Sequence, residues 1–325
     1  MSRILSGIQP SGRLHLGNLI GALQNWATLQ DKHESFFEIA DLHALTTGYM
    51  NTHELKENIF QLAVDMVSAG LDPKKCTIFV QSDVPEHCEL HLMLSMITPL
   101  SWLERVPTYK SKIDELKEVD LGTYGFLGYP VLQAADILIY KADLVPVGQD
   151  QLPHLELTRE IARRFNNIYG EFFPVPKDLM TKVPVMPGLD GRKMSKSYGN
   201  TIAICDPPAT IEKKVSSMVT DPARIRKNDP GHPQVCTVFA YHKIYSAASV
   251  AEIEKLCRSG SIGCTDCKKN LAAALIDSLK DIYKKRLELE ADRSIIKKML
   301  EEGREKASAI AVKTMSEAKK LMGIS

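Results

Sequence analysis

Two short motifs in this chain contain residue types that can bind a nucleotide. His15-Leu16-Gly17-Asn18 lies near the start, and Lys193-Met194-Ser195-Lys196-Ser197 lies past the middle. In the first motif, His15 and Asn18 can donate hydrogen bonds to phosphate oxygens, and a helix beginning there would add partial positive charge. Gly17 has no side chain, so an adenine ring could lie flat on the backbone. Taken alone, this motif also fits a helix N-terminus with a solvated histidine.

The second motif places two lysines three residues apart on one predicted loop. Lys193 and Lys196 could stabilise the negative charge that develops on a departing pyrophosphate. Gly188, Gly191 and Gly199 flank the lysines, which indicates a loop that can move. In this order and at this separation, the two motifs resemble the hallmark motifs of the class I aminoacyl-tRNA synthetases.

The segments around the motifs predict the fold that must position them. Short apolar or β-branched runs alternate with helical patterns over residues 1–200, which predicts an α/β fold: a Rossmann-type parallel sheet with helices on both faces. Ligands of such sheets bind at the carboxyl ends of the strands. The expected elements are an apolar Ile4-Leu5 pair before a turn-rich segment at 6–12, strands at 34–40, 76–81 and 143–148, and helices at 52–68, 130–140 and 152–165.

Three boundaries within this region depend on particular residues. Thr52 is the expected N-cap of the helix that ends before Gly70. Residues 99–128 are polar and charged, which we interpret as an insertion between the two halves of the sheet. Pro130 is expected to begin the next helix. Residues 1–200 are therefore predicted to form one catalytic domain.

Residues 201–325 are predicted to form a mostly helical second domain. Asp292 is expected to cap one helix, and Gly303 to separate it from a final helix, which is a candidate to pack back on the catalytic domain. The net charge is −5 over residues 1–200 and +6 over residues 201–325. A basic helical domain suits an anionic partner such as RNA, although a solvated, lysine-rich surface gives the same charge.

Composition limits the class of protein. The chain has 325 residues and a net charge of +1, which is ordinary for a globular protein of two domains. No apolar run is long enough to span a bilayer, and no signal peptide is visible, so we expect a cytoplasmic protein that does not bind membranes. The seven cysteines are then expected to be reduced thiols or metal ligands.

Longer segments extend the resemblance to one family. The segments 6–12, 129–136, 145–151 and 154–160 resemble those of bacterial tryptophanyl-tRNA synthetases, and the resemblance covers nearly the entire chain. It implies a Rossmann catalytic domain, a helical domain that binds the tRNA anticodon, and a homodimer joined through the catalytic domains. It also implies that L-tryptophan is activated with ATP and transferred to tRNA, with Mg²⁺ bound to the ATP phosphates.

Asp136 is the polar residue of an otherwise apolar helix. Burial without a partner would cost about 1–3 kcal/mol, so this carboxylate needs a role. A cap or a buried salt bridge is the structural alternative. The resemblance implies that Asp136 accepts the indole N–H of tryptophan. It further implies an amino-acid pocket that contains Tyr129 and Gln151 at the α-ammonium group, His43 nearby, and Leu5 and Gln133 where well-known members have Phe and Met.

The resemblance also assigns residues to ATP. Gln9 and His15 join Lys193 and Lys196 as the catalytic candidates. Gly148, Gln149 and Asp150 would hold the ribose, and Val185 would frame the adenine with the Met194 backbone. The remaining ATP-binding candidates are Pro10, Ser11, Gly17, Asn18, Ser195 and Ser197.

Four of the cysteines lie close together in the sequence. Cys236, Cys257, Cys264 and Cys267 have the spacing C-x20-C-x6-C-x2-C, and the last pair has the spacing of two thiolates on one metal centre. Spacing alone does not separate zinc from iron–sulfur. A subset of tryptophanyl-tRNA synthetases is similar here and carries a [4Fe–4S] cluster, which makes that cluster our expectation and Zn²⁺ the alternative. A structural role is expected for it.

Three other functions fit part of these patterns. Tyrosyl-tRNA synthetases share the architecture. A metal-containing RNA-binding protein without catalysis would explain the cysteines and the basic half, but not the lysine pair. A nucleotidyltransferase would explain the first motif, but neither the basic helical half nor the cysteines.

Overall fold

The computed structural model describes residues 1–107, 120–180 and 186–324, and the side chain of Ser197 is not described. Its centre is a five-stranded sheet with the strand order β3-β2-β1-β4-β5, in which every pair of neighbours is parallel. The strands are β1 (Arg3–Ile8), β2 (Glu34–Ile39), β3 (Cys76–Val80), β4 (Leu144–Val147) and β5 (Lys177–Met180). The predicted parallel sheet is confirmed.

Helices connect and cover the strands. The first half contains α1 (Leu16–Asn18), a π-helical turn (Leu19–Leu23), α2 (Gln24–Leu29), α3 (Asp41–Gly48), α4 (Leu55–Ser68), α5 (Glu86–Ser95), α6 (Leu100–Leu103), α7 (Tyr124–Ile139) and α8 (Leu152–Tyr169). The second half contains α9 (Pro208–Ser216), α10 (Thr237–Tyr245), α11 (Val250–Arg258), α12 (Cys264–Ala291) and α13 (Arg293–Leu321). None of the described helices is long and apolar enough to cross a membrane.

The side chains of successive strand residues pack in two different apolar cores. Ile4, Phe37 and Ile78 belong to one core cluster, whereas the adjacent Leu5 and Phe79 belong to the other. Successive strand side chains point to opposite faces, so each cluster covers one face of the sheet. The first cluster also contains residues of α12, and the second contains residues of α13. A domain boundary near residue 200 remains a prediction.

Two predicted helix starts are wrong. The helix predicted from Thr52 begins at Leu55 and has no side-chain cap; the Thr52 carbonyl instead accepts the Leu55 N–H in a turn (3.0 Å). The helix predicted from Pro130 begins at Tyr124, where the Thr123 hydroxyl accepts the Phe126 N–H (3.2 Å). Proline is typical of a first turn, but here the cap and the buried side chains of the extra turns outweigh the lost hydrogen bond.

Two other expectations also fail. The segment 6–12 is predicted to be turn-rich, but its first three residues belong to β1, which continues to Ile8 because Gly7 and Ile8 pair with β2. Gly303 does not end a helix, since α13 runs unbroken through it. A Cβ at Gly303 would collide with the carbonyl oxygen of Ile78, so the glycine lets α13 approach β3 closely. Asp292 caps this helix as predicted, accepting the Ser294 N–H (3.0 Å).

Candidate active site

The first motif forms a closed cap at the start of α1. Asn18 donates its backbone N–H to His15 Nδ1 (3.3 Å), and the Asn18 side-chain oxygen accepts the His15 N–H (3.1 Å). Burial, and next the charge of Lys196, lowers the pKa of His15 to about 4. The ring is therefore neutral at pH 7 with its proton on Nε2, which leaves that nitrogen as a donor for a ligand oxygen.

A π-helical turn follows this cap, which the sequence analysis missed. It spans Leu19–Leu23, and both Gly17 and Gly21 line the adjacent cavity. A Cβ at Gly21 would meet no atom within 4 Å, so the cavity surface formed by this turn is not tightly packed against another element. Such turns are frequent at functional sites.

The structure brings the second motif against the first. The Lys196 ammonium donates to the Gly12 carbonyl (2.9 Å) and lies 3.3 Å from the Ser11 hydroxyl. Two backbone hydrogen bonds join the flanking segments, from Leu16 to Ile202 and from Ile204 to Leu14 (both 3.0 Å). The two motifs therefore meet although about half the chain separates them.

Asn200 holds the lysine loop in place. Its side-chain oxygen accepts the Ser195 N–H (2.8 Å), and its amide nitrogen donates to Asp190 (2.7 Å) and to the Lys193 carbonyl (3.2 Å). A Cβ at Gly188 would collide with this amide. Gly188 thus makes room for the Asn200 side chain, a role that the sequence analysis missed because it attributed the glycine to loop movement.

A cavity of about 1140 Å³ opens between the two motifs, at the carboxyl ends of β1 and β4. Most of the predicted site residues line it: Leu5, Gln9, His15, Gly17, Asn18, His43, Tyr129, Gln133, Gly148, Gln149, Asp150, Gln151, Lys193 and Met194. Pro10, Ser11, Asp136, Ser195 and Lys196 lie outside this lining. Val185 and the side chain of Ser197 lie outside the described part of the chain.

Polar side chains cluster around Tyr129 and Gln151 in the cavity wall. The Tyr129 hydroxyl lies 3.1 Å from His154 Nε2, and Gln151 donates to Asp150 (2.9 Å). His154 also lines the cavity and was missed, because a histidine in an amphipathic helix carries no distinctive sequence signal. These groups offer several hydrogen-bonding atoms to a zwitterionic ligand.

Asp136 lies one layer behind the cavity wall, where three side chains donate to it. His43 Nε2 lies 2.8 Å from one carboxylate oxygen, His87 Nδ1 lies 2.6 Å from the other, and the Gln81 amide lies 2.9 Å from each. Burial raises the pKa of Asp136, but the hydrogen bonds from His43 and His87 outweigh it and hold the pKa well below its usual range. The carboxylate therefore stays ionised. Sequence analysis missed Gln81 and His87, because their contacts with Asp136 arise only in the fold.

The four candidate metal ligands converge in the second half of the chain. Burial, and next the charges of the other three thiols, raises the pKa of Cys267 to about 12, so all four lie within electrostatic reach of one another. Arg224 lies 4.0 Å from the Cys257 sulfur, and His242 lies 3.4 Å from the Cys267 sulfur. The remaining ligand candidates are Cys236 and Cys264.

The sulfur atoms are spread more widely than one small ion requires. Among the described residues, the group of three ligand atoms that all lie within 4.8 Å is formed by Glu38, His87 and Asp136, not by cysteines. Zinc binds each thiolate at about 2.3 Å, which needs closer sulfurs.

Comparison with known proteins places this site in a family. Residues 1–280 match the family described as tRNA synthetases class I (W and Y). The chain is 49% identical to the tryptophan–tRNA ligase of Thermotoga maritima, over 99% of both chains, and 45% identical to that of Aquifex aeolicus, over 99% of this chain and 100% of the other. The tryptophanyl-tRNA synthetase of Campylobacter jejuni, solved with ADP and tryptophan, superposes with a TM-score of 0.91 at 37% identity over 99% of both chains. The chain belongs to the class I tRNA synthetases of the tryptophan and tyrosine group.

Proposed function

We infer that the chain is a tryptophan–tRNA ligase, which activates L-tryptophan with ATP and transfers it to tRNA. The observation that carries this conclusion is the meeting of two distant motifs at one cavity, with a neutral His15 on one side and the Lys196 ammonium on the other. The full-length similarity to tryptophan–tRNA ligases selects the amino acid.

The first half-reaction needs positioning more than proton transfer. The tryptophan carboxylate is already ionised when it attacks the α-phosphorus of ATP, so no general base is required. Tryptophanyl-adenylate forms and pyrophosphate leaves, with Mg²⁺ on the phosphates. Lys193 and Lys196 stabilise the developing charge, and His15 and Asn18 donate to phosphate oxygens.

At the amino-acid end, Asp136 is proposed to accept the indole N–H. Each of its two oxygens already accepts two hydrogen bonds, so the indole N–H would take the place of one of them, of which the shared Gln81 amide is the most readily given up. Tyr129 and Gln151 are proposed to hold the α-ammonium group.

Pyrophosphate exchange into ATP tests the proposed activity. We expect exchange to depend on L-tryptophan, with tyrosine and phenylalanine lower by on the order of 10⁴ in kcat/KM, because a site built for an N–H rejects rings that lack it. Exchange driven best by tyrosine would select the rival function. Absence of exchange with every amino acid would instead support the RNA-binding protein without catalysis.

We propose that Cys236, Cys257, Cys264 and Cys267 hold a [4Fe–4S] cluster. The all-thiol ligand set supports it, and Arg224 supplies a nearby positive charge for an anionic group. Its proposed role is to join the segment before α10 and the end of α11 to the start of α12. No step of the reaction depends on it.

Metal analysis tests this cluster. Protein purified without oxygen should be brown and contain about four irons and four sulfides per chain, and C264S should lose both. C264S should also weaken tRNA charging more than pyrophosphate exchange. If the protein contains one zinc ion per chain and no sulfide, the four cysteines bind Zn²⁺ instead of a cluster. If protein purified without oxygen contains no metal, both the cluster and the zinc site are contradicted.

The proposed assembly is a cytoplasmic homodimer joined through the sheet-containing half. Leu92 on α5, Met96 just after that helix and Leu100 at the start of α6 are 55%, 69% and 58% exposed, at four-residue intervals. Exposed apolar side chains at this spacing fit an interface. Sedimentation velocity should give a dimer for the wild type and a monomer for L92E/M96E, whereas a monomeric wild type would contradict the assembly.

A further inference from the structure

Asp65 is a buried carboxylate that the functions above do not use. It lies on α4 with none of its side chain exposed, and it lies outside the lining of the cavity. Its partners come from two distant parts of the chain. Arg286 of α12 forms an ion pair with one carboxylate oxygen, and the backbone N–H of Leu14 donates to the other oxygen (3.0 Å). Asp65 therefore connects the second half of the chain to the segment that carries the first motif.

Leu14 directly precedes His15, the first residue of that motif. It lies between β1 and α1, outside the helices and strands, so separate hydrogen bonds have to hold its backbone in place. Its carbonyl accepts the Ile204 N–H (3.0 Å), and its N–H donates to Asp65. Leu14 is 0% exposed, so water cannot replace Asp65 as the acceptor. Without that acceptor, a buried N–H would be left unpaired, which costs about 1–3 kcal/mol.

A shift of the Leu14 backbone would move His15 within the site. The backbone N–H and the ring of His15 form the cap with Asn18, and both residues line the cavity. Catalysis that depends on positioning is sensitive to such shifts, because a displacement of about 1 Å can lower the rate about 10²-fold. Asp65 can thus set the geometry of the nucleotide motif without contacting a ligand.

Arg286 fixes the orientation of the Asp65 carboxylate. Its side chain is 2% exposed, and it also donates to Gln61, one turn before Asp65 on α4, and to Glu290, one turn further along α12 (2.7 Å). With one carboxylate oxygen held in this way, the other oxygen is directed at the Leu14 N–H. A charged acceptor makes that hydrogen bond stronger than a neutral one would.

We propose that Asp65 is a positioning residue for ATP, whose carboxylate fixes the Leu14 backbone and thereby the place of His15. This inference rests on the proposed function, in which ATP phosphates contact His15 and Asn18. Tryptophan is proposed to bind around Asp136 and Tyr129. Loss of the acceptor at position 65 should therefore impair the use of ATP and leave tryptophan binding unchanged.

Two double variants separate the acceptor from the buried charges. D65N/R286M removes both charges but keeps an oxygen that can accept the Leu14 N–H, whereas D65L/R286M removes the charges and the acceptor at nearly the same side-chain size. Pyrophosphate exchange gives kcat/KM for ATP, and calorimetry without ATP gives the tryptophan affinity. We expect kcat/KM for ATP to be about 10- to 100-fold lower in D65L/R286M than in D65N/R286M, with equal tryptophan affinities. If D65L/R286M does not fold, D65A/R286M carries the same expectation, because no group fixed to α4 would then accept the Leu14 N–H.

Controls separate the possible failures. E57Q/R293M removes an exposed ion pair between the same α4 and α13, so it should leave kcat/KM for ATP at the wild-type value. If folded D65L/R286M or D65A/R286M has the same kcat/KM for ATP as D65N/R286M, or loses tryptophan affinity to the same extent, Asp65 has only a structural role and the proposal is overturned. A wild type that shows no exchange with any amino acid would instead overturn the proposed function.

Discussion

Lys196 is a largely buried cation, and burial lowers its pKa to about 8. The free enzyme therefore loses this charge as the pH rises through 8, whereas an exposed lysine keeps it up to about 10.4. Since this charge is proposed to stabilise the departing pyrophosphate, we expect kcat/KM for exchange to be level below about pH 7 and to fall about tenfold per unit above about pH 9. Exchange rates measured at low ATP across this range check the prediction.

Removing the charge should affect the chemical step. K196A should lower kcat by about 10²–10³ and abolish the pH dependence, while calorimetry without ATP should show nearly unchanged tryptophan affinity. K75A is the matched control, because Lys75 is half exposed and pairs with Asp31 at the surface. A K196A protein that loses tryptophan affinity to the same extent as kcat would contradict the assignment.

Asp136 is predicted to supply the fixed negative charge of the amino-acid end. D136N keeps the shape of the side chain but loses the charge-assisted hydrogen bonds, which should cost about 2–4 kcal/mol in kcat/KM for tryptophan. Pyrophosphate exchange measures the loss, and circular dichroism verifies that the variant is folded. A folded D136N protein with near-normal exchange would mean that Asp136 has only a structural role.

At the scale of single residues, the sequence indicates that the charged residues and glycines of the two motifs belong to the site, but it does not indicate their hydrogen-bond partners. The need for a partner at Asp136 follows from its apolar neighbours. That its partners are Gln81 and His87 depends on how three separate segments meet. Asn200 was missed for the same reason, since its role depends on the space left by Gly188.

A buried ion pair connects two elements to the first motif. Asp65 on α4 and Arg286 on α12 are paired, with side-chain exposures of 0% and 2%, and Asp65 also accepts the backbone N–H of Leu14 (3.0 Å). R286M would leave the buried carboxylate with only the more distant Arg13, at 3.9 Å, so we expect the free energy of unfolding to fall by about 3–5 kcal/mol in urea denaturation. The double variant D65N/R286M should recover part of this loss.

An exposed pair provides the control. Arg293 and Glu57 are both about half exposed, so R293M should change the stability far less than R286M. Equal urea midpoints for R286M and the wild type would show that the buried pair contributes nothing to stability.

Gly303 marks the close contact between α13 and β3. Replacing a mid-helix glycine with alanine usually stabilises a helix by up to about 1 kcal/mol, but here the new Cβ would collide with the Ile78 carbonyl. We expect G303A to destabilise the protein by about 1–3 kcal/mol in the same denaturation experiment. In G125A the new Cβ would meet no atom within 4 Å, so that control should be neutral or slightly stabilising. A stabilised G303A would contradict this packing.

At the scale of elements, strands were easier to predict than helix boundaries. The apolar runs at β2 and β3 mark strands within one residue, because both are buried on the sheet. The start of α7 and the continuity of α13 depend instead on tertiary contacts. Pro130 and Gly303 usually mark helix ends, and only the packing around them shows why they do not do so here.

At the scale of the whole molecule, the resemblance gave the fold class and the function before the structure did. The parallel sheet and the helical second half follow from patterning, and the comparisons confirm the family. The way in which residues after Lys196 return to pair with the first motif does not follow from patterning. It requires the long-range pairing of Leu14 and Leu16 with Ile204 and Ile202.

The distribution of charge along the chain fits a division in which one half contains the cavity and the other half contacts tRNA. The second half of the chain carries a net charge of +6, which suits a polyanion, whereas the half that contains the cavity carries −5. Both halves of the chain are therefore expected to serve one reaction.

Charging of purified tRNA transcripts tests that claim most directly. The wild-type protein, ATP and labelled amino acids are combined with the tryptophan tRNA or the tyrosine tRNA, and the label attached to RNA is counted. We predict that tryptophan is attached to the tryptophan tRNA, and that tyrosine is attached to neither RNA at a comparable rate. Tyrosine attached to the tyrosine tRNA, or pyrophosphate exchange without any charging, would contradict the account.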